Sequence, residues 1–308
     1  MLVSTLGGPT YTVSLIGADG KVAASAQASS PATVTCGGTA AGVVPLPVST
    51  SNTRVYFMDG LGTVREMGPD GAISTVTTLP IGAARRSMFA VSPDDAQIAV
   101  VVADFTSGGA TTNLYVNSLQ AGAQVKTYTE TGSYILWPIG WHGTSNLVVA
   151  KVPACTQGGG PLCCGPQELH VVDPVTAVRR FTLGGSQCVI AGAASPAGAV
   201  CEDTQFTQAN VLNWVAAPQR SIPIKGPVPA YLSPDGTLVA IVDFGTATTA
   251  VNGLNKTISL QACAWIDATH LLAGGNAQQQ PRVGDVTSGV IVPVAAQGDC
   301  GGRIPGGL

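Results

Sequence analysis

The chain has 308 residues, of which 10% are charged and 45% hydrophobic, with 39 glycines, 21 prolines and a net charge of −3. That balance gives no electrostatic ground for binding nucleic acid or an anionic membrane surface. No run reaches the ~18 apolar residues needed to span a bilayer as a helix, and the composition suits sheets joined by tight turns better than periodic helices.

In chain order, Met1 to Gly8 has no basic region and no long apolar stretch, so a secretion signal is expected to be absent from this chain. Residues 9–28 read as a hairpin: Tyr11 to Leu15, a turn at Asp19-Gly20, then Val22 to Ser25. A Ser/Thr/Gly/Ala-rich linker containing Cys36 follows. Strand-and-turn units are then predicted over about 44–80, 86–130, 134–183, 187–224, 229–260 and 262–296. The third carries a Gly/Cys/Pro insertion at 152–167, and the tail from Asp299 to Leu308 is Gly/Pro-rich and expected to be irregular. The expected organisation is therefore a hairpin and linker at 1–43 packing on a body at 44–298, with a tail at 299–308.

The units share a phrase. Ser233-Pro234-Asp235-Gly236 is followed by Thr237-Leu238-Val239-Ala240-Ile241-Val242, a tight polar turn leading into a buried strand. Ser92-Pro93-Asp94-Asp95 with Gln97 to Val101 nearly repeats it, and Ser195-Pro196-Ala197-Gly198 is a degraded copy. Three more keep the shape with other letters. The residues aligned with Ser233 are Thr50, Ser92, His142, Ser195, Ser233 and Ile266, at successive spacings of 42, 50, 53, 38 and 33. A four-stranded propeller blade takes roughly 40–45 residues. The pattern resembles the TolB-like and WD40-like propeller repeats, whose signature is a Ser-Pro-Asp-Gly turn between the first two strands of a blade; it spans about 44–296. The resemblance implies an all-β, six-bladed β-propeller of four-stranded antiparallel blades, with seven blades, or six plus an extra hairpin, as the alternative. It brings no catalytic residue with it.

Eight cysteines with few charges point to an oxidising compartment, extracellular or periplasmic. Cys188 and Cys201 flank the Ser195 turn and are expected to bridge adjacent strands. Cys155 is expected to pair with Cys163 or Cys164, closing the insertion, and Cys36 with Cys300, clasping the two ends. No Cys-x-x-Cys pair favours metal. Trp141 and Trp265 align with Val91 and Leu232 as core positions, His142 and His270 fall in or beside turns, and no motif sets a nucleophile beside His170. Asn255-Lys256-Thr257 matches a glycosylation acceptor.

One set of polar residues recurs. The residues ending the second strand of each unit are Asp59, Asp104, Lys151, Asp203, Asp243 and Asn276. In a propeller these ends lie on one face, so they form a candidate ligand site around the channel mouth, within reach of Arg85 and Arg86. Carboxylates gathered there would raise each other's pKa values and favour a divalent cation such as calcium, or a cationic ligand. The other reading is that Asp and Asn are ordinary turn residues. No cofactor is predicted. Two functions follow as expectations: a binding scaffold for a small molecule, glycan or protein, or a glycosidase- or lactonase-type hydrolase using paired carboxylates.

Overall fold

The computed structural model describes residues 1–4, 8–37, 40–119, 125–156, 168–276 and 278–308. Seven four-stranded antiparallel sheets follow one another around a ring, and the first strands of neighbouring sheets abut at its centre. No helix occurs among the described residues. Blade 1 holds Leu2–Val3, Thr10–Ile16, Val22–Ser29 and Asp299–Cys300. Blade 2 holds Val48–Thr50, Val55–Met58, Thr63–Met67 and Ile73–Thr78. Blade 3 is Arg85–Val91, Gln97–Thr106, Gly109–Ser118 and Val125–Gly132, and blade 4 is Tyr134–His142, Asn146–Pro153, Glu168–Val172 and Arg179–Gly184. Blade 5 is Cys188–Ile190, Ala199–Asp203, Gln208–Leu212 and Pro218–Pro223. Blade 6 is Ala230–Leu232, Val239–Asp243, Thr248–Asn252 and Lys256–Ile258, and blade 7 is Ala264–Trp265, His270–Ala273, Arg282–Asp285 and Ile291–Pro293.

The blade count is thus the seven-blade alternative, and the reason lies in blade 1. Leu2 and Val3 pair with Ser14 and Val13 on one side and with Cys300 and Asp299 on the other. The N-terminal hairpin acquires its inner strand from the far end of the chain, so the ring closes by strand pairing. Asp299 and Cys300, expected in an irregular tail, are that strand. Residues 301–308 continue along the inner corners of the ring: Gly306 N–H donates to Ser51 O at 2.7 Å and Leu308 N–H to Trp141 O at 2.7 Å.

The recurring turn owes its shape to one serine. Ser233 Oγ donates to Asp235 Oδ1 at 2.6 Å and accepts from Leu238 N–H at 2.9 Å. Ser92 repeats both bonds with Asp94 and Gln97, at 2.6 and 2.9 Å. Asp95 and Gly236 take φ of 59° and 76°, a conformation glycine adopts without strain and Asp tolerates. In blade 2 this role falls to Ser51, fully buried like Ser92 and Ser233, whose Oγ accepts from Arg54 N–H at 3.0 Å. The alignment through Thr50 was therefore one residue out of register.

Buried aromatic side chains tie neighbouring blades. Trp141 Nε1 donates to Ala90 O at 3.2 Å and Trp265 Nε1 to Tyr231 O at 2.9 Å, each reaching the inner strand of the preceding blade. Tyr11 hydroxyl donates to Met58 O at 2.7 Å between blades 1 and 2. These indoles and the phenol are buried, so their polar atoms need such partners. The core readings of Trp141 and Trp265 agree with this packing.

Among the described residues, three disulfides cross-link the ring. Cys188 is bonded to Cys201 across blade 5, with Cα atoms 5.5 Å apart. The expected Cys36–Cys300 clasp is corrected: Cys36 is bonded to Cys155 and Cys263 to Cys300. The linker carries Cys36 over blades 3 and 4, where Gly42 bridges to Cys155 and Val43 N–H donates to Ala154 O. Cys300 instead lies beside blade 7, within reach of Cys263. Cys155 is thereby unavailable to Cys163 or Cys164, and those two lie outside the described residues.

A candidate ligand cleft between blades 3 and 4

Of the six residues expected at strand ends, Asp203 and Asp243 end their strands, Asp59 and Asn276 follow theirs, and Asp104 and Lys151 lie two residues inside Gln97–Thr106 and Asn146–Pro153; each is engaged within its own blade. Asp59 is 5% exposed; its Oδ1 accepts from Leu61 and Thr63 N–H at 2.9 and 3.0 Å, and Oδ2 from Arg65 at 3.2 Å. Asp104 pairs with Arg85 Nε at 2.5 Å. Asp203 accepts from Thr207 Oγ1 and N–H, both at 2.7 Å, and Asp243 from Gly245 N–H at 2.8 Å. Asn276 Oδ1 accepts from Gln278 and Gln279 N–H at 2.9 and 3.0 Å. Hydrogen bonds from the Thr207 side chain hold Asp203 below the usual carboxylate range, and those from the Thr246 side chain and backbone do the same for Asp243. For Asp203 and Asp243 the expected mutual raising of carboxylate pKa values gives way to lowering by turn donors. Among the described residues no three His, Cys, Asp or Glu side chains gather as metal ligands.

Lys151 differs from the other five. Its ammonium lies 3.6 Å from Glu168 Oε1 and 4.8 Å from the centre of the Tyr134 ring. Lys151 faces a cleft of about 360 Å³ between blades 3 and 4. Blade 3 contributes Leu114, Tyr128 and Glu130; blade 4 contributes Tyr134, Leu136, Val149, Lys151, His170 and, from its outer strand, Arg179.

Strand periodicity assembles this lining. Alternate residues share a face, so Tyr128 and Glu130 project together from blade 3, and Glu168 and His170 from blade 4. Lys151 is the direct cross-strand partner of Glu168, and Val149 of His170. His170 Nε2 sits 2.7 Å from Glu168 Oε2, and Arg179 Nη1 lies 3.5 Å from the same nitrogen. Tyr128 hydroxyl donates to Glu130 Oε2 at 3.0 Å. Glu168 is held below the usual carboxylate range by His170 first, with Lys151 adding to it, while burial pushes the Tyr128 phenol up.

In a chain with few charges, two carboxylates, two permanent cations and a histidine meet here beside two aromatic rings. Such a lining offers fixed donors, fixed acceptors and stacking faces, which is the equipment for a polar ligand of saccharide size. Lys151 and His170 were each singled out in the sequence. Tyr128, Glu130, Tyr134, Glu168 and Arg179 were not, although the i, i+2 spacing of Tyr128 with Glu130 and of Glu168 with His170 was a readable signal. Which blade faced which was not.

No family model matches the chain, and no curated protein matches its sequence. Solved structures do match in shape. The β-propeller domain of Cps50 (Swd1) from Myceliophteria thermophila aligns with a TM-score of 0.51 at 10% identity, over 86% of this chain and 92% of that one. An oligogalacturonate lyase in complex with manganese aligns at 0.52 and 8% identity, over 79% and 76%. A chain of the mitotic checkpoint complex aligns at 0.52 and 14% identity, over 86% and 82%. Identities this low show the fold alone: the chain shares the β-propeller with a lyase and with a chain of the mitotic checkpoint complex.

Proposed function

We propose that this protein is an extracytoplasmic β-propeller that acts as a binding scaffold, with a polar, saccharide-like ligand held in the cleft between blades 3 and 4. The observation that carries the reading is the convergence of Tyr128, Tyr134, Lys151, His170 and Arg179 on one cleft. Aromatic rings cover the apolar faces of a sugar, and paired charges satisfy its hydroxyls without leaving a net field. Three disulfides support an oxidising location. They also support a rigid site, since a preorganised cleft loses less entropy when the ligand binds.

The test is saturation-transfer NMR of the purified, non-reduced protein against neutral and acidic oligosaccharides. Binding by the parent and a loss of at least tenfold in Tyr134→Ala and Lys151→Met is the expected result. Equal binding by the parent and both variants would remove the cleft from the reading. A glycosidase, esterase and lactonase screen of the same sample, with and without chelator, tests turnover separately.

A further inference from the structure

Arg86 is a buried cationic side chain, 6% exposed, near the start of the inner strand of blade 3. Its Nη2 donates to Ala32 O in the linker, and its Nε has no partner among the described residues. No carboxylate lies near enough to act on it; burial alone pulls its pKa down. A buried guanidinium without a counter-charge is strongly disfavoured, because it has lost water and gained little in return.

The register of blade 3 supplies a second donor. Arg86 stands opposite Ala103, and Ala103 opposite Thr112, so the three share one face. Thr112 is 1% exposed, and its hydroxyl also has no partner among the described residues. Two strand spacings put their backbones roughly 10 Å apart, a gap that the long arginine chain and one bridging group can span. Glu130, next in the row, accepts from Tyr128 and lies roughly 14 Å from the Arg86 backbone, three spacings away. It is too far along the row to serve as the counter-ion.

We propose that Arg86 and Thr112 form an oxyanion site on blade 3, in which a carboxylate, sulfate or phosphate group accepts hydrogen bonds from Arg86 Nε and Thr112 Oγ1. A guanidinium edge matches such groups, and a hydroxyl completes the set of donors. Neither residue lines the cleft, but Thr112 stands directly opposite Glu130, which does, so the site lies on the same face of blade 3 as the proposed ligand cleft.

Thermal unfolding of the full, non-reduced chain tests it. Phosphate, sulfate and acetate are titrated separately against chloride at constant ionic strength, which tells phosphoryl-like from carboxylate sources. The expected result is a saturable rise in Tm, about 2 °C at ten times Kd for a chain of this size. Arg86→Met is expected to start from a higher Tm without anion and to lose the saturable rise. Thr112→Val is expected to weaken apparent affinity severalfold. A rise that is linear and equal in parent and Arg86→Met is the general stabilisation by excluded salts and overturns the proposal. So does the absence of any saturable rise in the parent, which would assign the two donors to bound water. If Arg86→Met does not fold, unchanged affinity in Thr112→Val is sufficient to refute it.

Discussion

The seam of the ring rests on little strand pairing, and that makes the Cys263–Cys300 bond measurable. Blade 1 is closed by two residue pairs, Leu2 with Cys300 and Val3 with Asp299. The disulfide anchors Cys300 to blade 7 across a sequence separation of 37. In the chain-entropy treatment, a loop of that length stabilises by about 4 kcal/mol, against about 3 kcal/mol for the 13-residue separation of Cys188 and Cys201. Unfolding entropy near 2.1 cal/mol/K per residue gives about 650 cal/mol/K for 308 residues, so 4 kcal/mol corresponds to about 6 °C. Cys263→Ala with Cys300→Ala should therefore lower Tm by about 6 °C, and Cys188→Ala with Cys201→Ala by somewhat less. The two variants separate in native-state hydrogen exchange. Opening the seam frees the amides of blade 1, so Leu2, Val3 and their partners Val13 and Ser14 should lose protection in the first variant alone. Full protection of those amides in the Cys263/Cys300 variant would show that the seam does not depend on the bond.

Other expectations follow from the same packing. Trp141→Ala empties a fully buried site and leaves Ala90 O without its donor, which should cost about 3–5 kcal/mol in denaturant unfolding; a loss under 1 kcal/mol would contradict the inter-blade role. Ser92→Ala and Ser233→Ala remove equivalent hydroxyls and should each cost about 1–3 kcal/mol, with similar values in both turns. Acid should destabilise the fold. Asp173 is held to about 2, by the Thr176 N–H first, and Asp285 is lowered by the Thr287 and Ser288 side chains, so their stabilisation is present above the unfolded value of about 3.9 and lost as pH falls toward 2. Glu202 has the opposite sign. Burial raises its pKa, so it withdraws stability as pH rises through that value, and Glu202→Gln should raise Tm at neutral pH. A flat Tm between pH 5 and pH 2 would contradict the first pair, and a lower neutral-pH Tm in Glu202→Gln the second.

The repeated turn was legible because its chemistry is local. Ser233, Pro234, Asp235 and Gly236 build their corner from their own side chains and φ angles, so the phrase carries its geometry wherever it stands. Cys188 and Cys201 were legible for the same reason, as they flank one hairpin. The seventh blade was less so, because its inner strand is two residues from the opposite end of the chain, too short to show a period. The partners of Cys36 and Cys300 depended on where the linker crosses the ring, which nothing local in the sequence states. Asp59, Asp203 and Asp243 recur at or just past the ends of second strands, yet each accepts from backbone N–H groups of its own turn, a bond that spacing alone cannot tell from a ligand site. Period two put Tyr128 with Glu130 and Glu168 with His170 on shared faces. Only the stacking of blade 3 against blade 4 made those faces the walls of one cleft, because side chains on different sheets meet through packing, not through sequence.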